Sequence, residues 1–141
     1  MSEYWQTETP EETIRLAGQQ SQQWESPRVV ALTGELGSGK TTFVKRVVSS
    51  FGGDKTKVRS PSFTLVNEYT DTSLRVVHAD LYRAESSGEQ LTIGLEDYFD
   101  RGYVLVEWAN YWTGSWPEDS IGYRFKHVEE NVRRIERYDP T

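Results

Sequence analysis

A chain of 141 residues leaves room for one domain and no second. Its net charge of −6 argues against a domain that grips DNA or RNA by itself, because neutralising phosphates demands a basic surface. With no cysteine and two well-separated histidines there is no disulfide, no thiol nucleophile and no zinc site, and no apolar run reaches the roughly 18 residues of a membrane span.

The N-terminus lacks a basic-then-apolar signal, so the expected location is the cytoplasm, away from any membrane. Thr9-Pro10-Glu11-Glu12 is a capping box with proline at the first helical position, and it predicts a helix to about Trp24. Ile14, Ala17 and Trp24 are expected on its buried side, with the glutamines facing water. Arg28 to Thr33 is a short apolar run of the kind that forms a buried parallel strand. A glycine-rich turn follows, and then Phe43, Val44, Val47, Val48 and Phe51 recur at helical spacing until Gly52-Gly53-Asp54 stops the helix. Residues 57–69 are rich in strand formers, with Pro61 suggesting an edge or a bend. Leu74 to Ala79 and Tyr103 to Val106 are compact apolar runs, and each ends at a carboxylate, Asp80 and Glu107. Between them Ser86 to Phe99 reads as a helix weakened by Gly88 and Gly94, and Ile121 to Tyr138 reads as a hairpin turning at Glu129-Glu130-Asn131. Hydrophobic residues make up only 35%, so aromatic rings, at 13%, must fill much of the core. The expected fold is a single three-layer α/β domain over residues 1–141, with a mainly parallel sheet and a C-terminal β-hairpin.

The turn itself carries the chemistry. Gly34-Glu35-Leu36-Gly37-Ser38-Gly39-Lys40-Thr41 is a complete phosphate-binding loop between a strand and a helix. Its glycines reach backbone angles closed to other residues and let amides approach a ligand. The N–H groups of Glu35, Leu36, Gly37, Ser38, Gly39, Lys40, Thr41 and Thr42 then face an anion at the positive end of a helix. Lys40 supplies a point charge for the outer phosphates, and the Thr41 hydroxyl can join the shell of a magnesium ion. Lys45, Arg46, Lys55, Lys57 and Arg59 add a local basic rim in an otherwise acidic chain.

Such a loop needs a carboxylate at a neighbouring strand end for the metal or its water, and a group to position an attacking water. Asp80 and Glu107 are expected to fill those roles between them, the alternative for each being a strand-end acid that only caps a loop. Glu107 follows the more apolar strand and is assigned to the metal with Thr41, while Asp80 orients water or meets magnesium through water. Lys40, Asp80 and Glu107 are therefore the catalytic candidates. His78, two residues before Asp80, either polarises that acid or is a packed core histidine.

Four segments in order carry a wider resemblance: Gly34 to Thr42; Ser60-Pro61-Ser62-Phe63-Thr64-Leu65-Val66 with Tyr69; His78-Ala79-Asp80-Leu81-Tyr82-Arg83; and Val106-Glu107-Trp108. Their spacing resembles the TsaE (YjeE) family, the ATPase component of bacterial tRNA threonylcarbamoyladenosine biosynthesis. The resemblance implies ATP and Mg2+ as cofactors and weak hydrolysis alone. It also implies work with a TsaD–TsaB-like complex, with tRNA touched only through that complex. It gives Ser60, Pro61, Phe63 and Thr64 a switch role near the γ-phosphate and puts Trp108 beside the site. It makes Thr41 and Glu107 the metal ligands, with Asp80 essential nearby. It further suggests Glu11 or Thr13, and Arg133, around the base.

Glu35 stands where the family usually has Asp, Ser38 where Ala is usual, and Ser62 replaces the commoner Thr; none alters the backbone chemistry of the loop or removes a hydroxyl. Ala109 stands where Pro is frequent, and Tyr111, Trp112 and Trp116 make the next loop aromatic, as a partner-docking patch or as a cover for the sheet edge. Three other functions share the loop. A small-molecule kinase needs an arginine-bearing lid, and residues 84–120 hold only Arg101; a GTP switch needs an Asn-Lys-x-Asp pattern, which is missing. A non-enzymatic nucleotide glue for assembly is the third.

Overall fold

The computed structural model describes residues 3–35, 37–59, 66–82 and 94–141. Its centre is β2 (Arg28–Gly34), whose continuous apolar run is explained by neighbours on both edges and both faces. β5 (Tyr103–Glu107) and β6 (Ile121–Glu129) flank it in parallel, with Val30 level with both Leu105 and Ile121. β4 (Val76–Asp80) pairs in parallel with β5, and β3 (Val66–Tyr69) closes that side antiparallel, as an edge strand. On the other side β7 (Val132–Tyr138) returns antiparallel from β6, and β1 (Glu3–Thr7) adds to β7. The order is β1-β7-β6-β2-β5-β4-β3, so the sheet is parallel through its middle and antiparallel at its flanks. The sequence reading anticipated the C-terminal hairpin but not β1, whose pairing partner lies more than a hundred residues away.

Alternation along the strands divides the core in two. Val30, Leu32, Leu105, Tyr123 and Phe125 face helices α1 (Pro10–Ser21) and α2 (Lys40–Ser50), while Val29, Ala31, Val77, Ala79, Val104 and Val106 face the opposite way. Among the described residues the second face is covered by Leu95, Ala109 and the rings of Phe99, Trp112 and Trp116. Of the expected helix from Ser86 to Phe99, residues 86–93 lie outside the described residues; the rest is a single 3-10 turn at Leu95–Tyr98.

The capping box forms. Thr9 Oγ1 accepts from the Glu12 amide at 3.2 Å, and the Glu12 carboxylate turns back to the Glu8 amide at 2.8 Å. Two expectations for α1 need correction. Ile14 is exposed, because the buried stripe runs through Thr13, Leu16, Ala17 and Gln20. Gln20 is buried rather than wet because its Oε1 accepts from the Tyr123 hydroxyl at 2.8 Å, and that hydroxyl in turn accepts from Trp24 Nε1 at 3.1 Å. Trp24 does lie inside, three residues past the helix end. It joins Phe43, Tyr103 and Tyr123 in a ring cluster with centroids 5.1–6.2 Å apart. Each such pair contributes about 0.5–1.5 kcal/mol beyond its area burial, which offsets the shortage of aliphatic side chains. Among the described residues no helix is long and apolar enough to cross a membrane.

Candidate functional site

Open parallel sheets bind ligands beyond the carboxyl ends of their strands. Here three such ends meet. β2 runs into Gly34, β4 ends at Asp80 and β5 ends at Glu107, with Asp80 level with Glu107 and Glu107 level with Leu32. The loop from Gly34 to Gly39 leads into α2, whose first residue is Lys40. Gly34 has φ 144°, and a Cβ there would lie 2.6 Å from the Phe125 carbonyl oxygen, so both the angle and the neighbouring strand require glycine.

Lys40 is buried, and its ammonium turns back into the loop. It donates to the Gly34 carbonyl, to the Glu35 carbonyl at 2.9 Å and to Ser38 Oγ at 3.5 Å. Burial pulls its pKa below the usual lysine range, opposed by the carboxylates of Glu107, Asp80 and Glu35. The ring of Trp108 covers the same ammonium, with Nζ 4.4 Å from the ring centroid. Trp108 reaches that position through a left-handed backbone, φ 56°, which costs a non-glycine residue about 1–3 kcal/mol and is a mark of functional sites. Tyr111 stacks on it at 5.6 Å, and Tyr82 packs against it at a tilt, 4.8 Å away.

The Thr41 hydroxyl lies 3.1 Å from each oxygen of Glu107, so the first turn of α2 and the end of β5 are already joined. Asp80 and Glu107 are both buried, at 5% and 3% exposure, and the Lys40 charge compensates them. Asp80 Oδ1 accepts from the Tyr82 amide at 2.9 Å. His78 is a packed core residue, fully buried, and its Nε2 meets Glu107 Oε2 at 2.5 Å rather than Asp80. Among the described residues no three His, Asp or Glu side chains form a cage for a metal by themselves. A hydroxyl with one or two carboxylates is the donor set that magnesium accepts when phosphates and water complete its shell.

The other candidates divide. Arg133, on β7, donates to the Gly37 carbonyl at 3.1 Å and so clasps the loop from the hairpin side. Thr13 is buried, bonded to Thr7 at 2.7 Å, and its methyl lies 3.8 Å from where a Cβ on Gly39 would be. Glu11 is exposed in the first turn of α1. Thr42 is half-buried and Ser38 buried, while Glu35 and Gly37 are exposed. Leu36, Ser60, Pro61, Phe63 and Thr64 lie outside the described residues. A groove of about 650 Å³ opens beside the loop, between Glu35, Trp108, Trp112, Trp116 and Arg124. Trp112 and Trp116 also pack on Phe99, at 5.8 and 6.1 Å, so the aromatic loop does cover the sheet. Sequence reasoning missed the Phe125 carbonyl behind Gly34, the Tyr82 and Tyr111 rings on Trp108, and the His78–Glu107 contact. Strand alternation puts residues 78 and 80 on one face and 105 and 107 on one face, but it does not reveal that β4 and β5 are neighbours.

Comparison with known proteins agrees with this arrangement. Residues 7–135 match the family model described as threonylcarbamoyl adenosine biosynthesis protein TsaE. The chain is 37% identical over 132 residues to the tRNA threonylcarbamoyladenosine biosynthesis protein TsaE of Bacillus subtilis, covering 93% of this chain and 82% of that one. It is 34% identical over 132 residues to the protein of the same name from Aquifex aeolicus, covering 93% and 92%. A crystal structure of Bacillus subtilis YdiB superposes with a TM-score of 0.77 at 32% identity, covering 97% of this chain and 84% of that one. A glycine-rich loop clasped between hairpin and helix, with a threonine and a strand-end glutamate joined beneath it, thus belongs to a chain that is a member of the TsaE family.

Proposed function

We propose that this chain is a slow ATPase that binds ATP with Mg2+ on the loop from Glu35 to Thr42. It would act in the cytoplasm with a TsaD–TsaB-like complex in threonylcarbamoyladenosine modification of tRNA. The relatives' names supply the pathway, and the site chemistry supports the activity. The observation that carries most weight is the Thr41–Glu107 contact directly below a loop whose lysine is held inward. A net charge of −6 favours contact with tRNA through partners rather than directly.

In this reading the loop amides take the phosphate oxygens, and Lys40 exchanges its bonds to the Gly34 and Glu35 carbonyls for bonds to the outer phosphates. Thr41 and Glu107 would hold the metal, which when bound would neutralise charge on the transferring phosphoryl group. Asp80 would orient the attacking water or meet the metal through water. Trp108 shields the lysine from solvent and so strengthens its field. Arg133, with Thr13 or Glu11, borders the base, and Ser60 to Thr64 responds to the γ-phosphate.

Release of phosphate from ATP by the purified protein, with and without the partner complex, tests this. Wild type is expected to turn over slowly and to accelerate with partners, and Lys40→Ala to fall to background. Hydrolysis undiminished in Lys40→Ala refutes the assignment, and phosphate transferred to a small acceptor points to a kinase.

A further inference from the structure

His78 is fully buried on β4, between the strand carrying Tyr69 and the strand carrying Glu107. Its ring stacks near Tyr69 at 6.5 Å, its Nε2 meets Glu107 Oε2 at 2.5 Å, and its Nδ1 has no hydrogen-bond partner among the described residues. Packing alone does not explain an imidazole here. An aliphatic side chain would fill the same space without burying an unsatisfied nitrogen, which costs about 1–3 kcal/mol. The compensating contact is the one to Glu107, and it ties the ring on one side only.

Glu107 receives a second donor, the Thr41 hydroxyl, which lies 3.1 Å from both of its oxygens. That donor has one hydrogen for two oxygens. When the Thr41 oxygen gives a lone pair to a cation its hydrogen can still reach only one oxygen of Glu107, so it does not by itself fix which of the two faces the cation. The contact from His78, on the neighbouring strand β4, is to Oε2. We propose that His78 is a positioning residue: its Nε2–H holds Oε2 of Glu107, leaving Oε1 beside the Thr41 hydroxyl as the oxygen that would take the metal. The inference rests on the reading of Glu107 as a metal ligand. Partners of this outer kind fix the orientation of a ligand, and losing one typically weakens metal binding by about 10–100-fold.

The test measures Mn2+ affinity in the presence of ADP by electron paramagnetic resonance of the free ion, for wild type, His78→Leu and His78→Gln. Fluorescent ADP binding in EDTA and thermal melting are followed in parallel. Leucine keeps the volume without a donor, whereas glutamine offers an amide N–H near the Nε2 position. The expected result is Mn2+ binding weakened at least about tenfold in His78→Leu and largely restored in His78→Gln, with metal-free ADP binding unchanged in both. Wild-type Mn2+ affinity in His78→Leu, or equal loss in both variants, overturns the positioning role. Should the leucine variant not fold, nitrogen-correlated NMR of the wild type decides, with exposed His127 as the internal reference. The proton belongs on Nε2 of His78, with a signal that shifts in Glu107→Gln; a proton on Nδ1 instead removes the donor and the proposal with it. A wild-type protein that binds no Mn2+ with ADP sinks the ATP reading itself, before His78 is tested.

Discussion

Replacing Gly34 and Gly37 with alanine, one at a time, separates backbone angle from crowding inside the same loop. Both glycines have positive φ, 144° and 74°. They differ in what a methyl group meets. At Gly37 no heavy atom of the described residues, its chain neighbours aside, lies within 4 Å, whereas at Gly34 the methyl comes within 2.6 Å of the Phe125 carbonyl oxygen, 2.8 Å of Ser38 Oγ and 2.9 Å of Phe125 Cβ. Ser38 can rotate away cheaply. The Phe125 backbone cannot, because Gly34 and Phe125 are paired in the β2–β6 ladder, and moving it disturbs the sheet. Gly37→Ala therefore costs only the left-handed backbone, about 1–2 kcal/mol. Gly34→Ala adds about 1–3 kcal/mol of overpacking to a backbone cost of about 1–3 kcal/mol, or roughly 4 kcal/mol together. At roughly 3 °C per kcal/mol for a chain of this size, melting followed by circular dichroism should fall about 12 °C for Gly34→Ala and about 4 °C for Gly37→Ala. Equal shifts in the two variants, or a larger one at Gly37, would show that contact with β6 is not what fixes Gly34.

Phe43 is fully buried against Trp24, Tyr123 and Phe125, so Phe43→Ala should cost about 3–5 kcal/mol, read from the midpoint of urea unfolding. Burial pushes the Tyr123 hydroxyl up to about 12 from its ordinary value near 10, despite its bond with Trp24. Between those values the folded chain keeps a proton that the unfolded chain loses, so stability is fully present below pH 10 and declines toward pH 12. The loss, on the order of 1–3 kcal/mol, should shrink in Tyr123→Phe when unfolding is measured across that window. Arg133→Ala releases the Gly37 carbonyl, and ATP affinity measured with a fluorescent analogue should fall about fivefold with little change in melting temperature. An unchanged affinity would remove Arg133 from the base side of the site.

The features that were legible in sequence are those whose causes are local. Gly34 to Thr41 declares its turn through glycine spacing, Thr9 declares a helix start through the acid three residues on, and Asp80 and Glu107 declare strand ends because apolar runs stop there. What escaped depends on partners distant in the chain. β1 becomes a strand because β7 offers an edge, and Gln20 is inside because Tyr123 arrives from β6 to bond it. Ile14 looked buried by composition, yet the packed stripe was chosen by the sheet that α1 lies on. At the candidate site, Lys40, Thr41 and Glu107 do lie together, as a loop and a strand end suggested, but the His78–Glu107 pairing needed the order of strands β4 and β5, which no local pattern encodes.

The central position of β2 has a consequence for how the molecule is made. Residue 30 acquires its two lateral neighbours only from residues 105 and 121, so a ribosome must deliver most of the chain before that strand has either partner. Until then a nascent β2 offers two open edges and an apolar surface to other chains, the hazard that slow long-range pairing brings. The glycine-rich loop between β2 and α2 thus matures among the last parts during synthesis, and peptides released before β6 emerges should be insoluble and, on the function proposed above, unable to retain nucleotide.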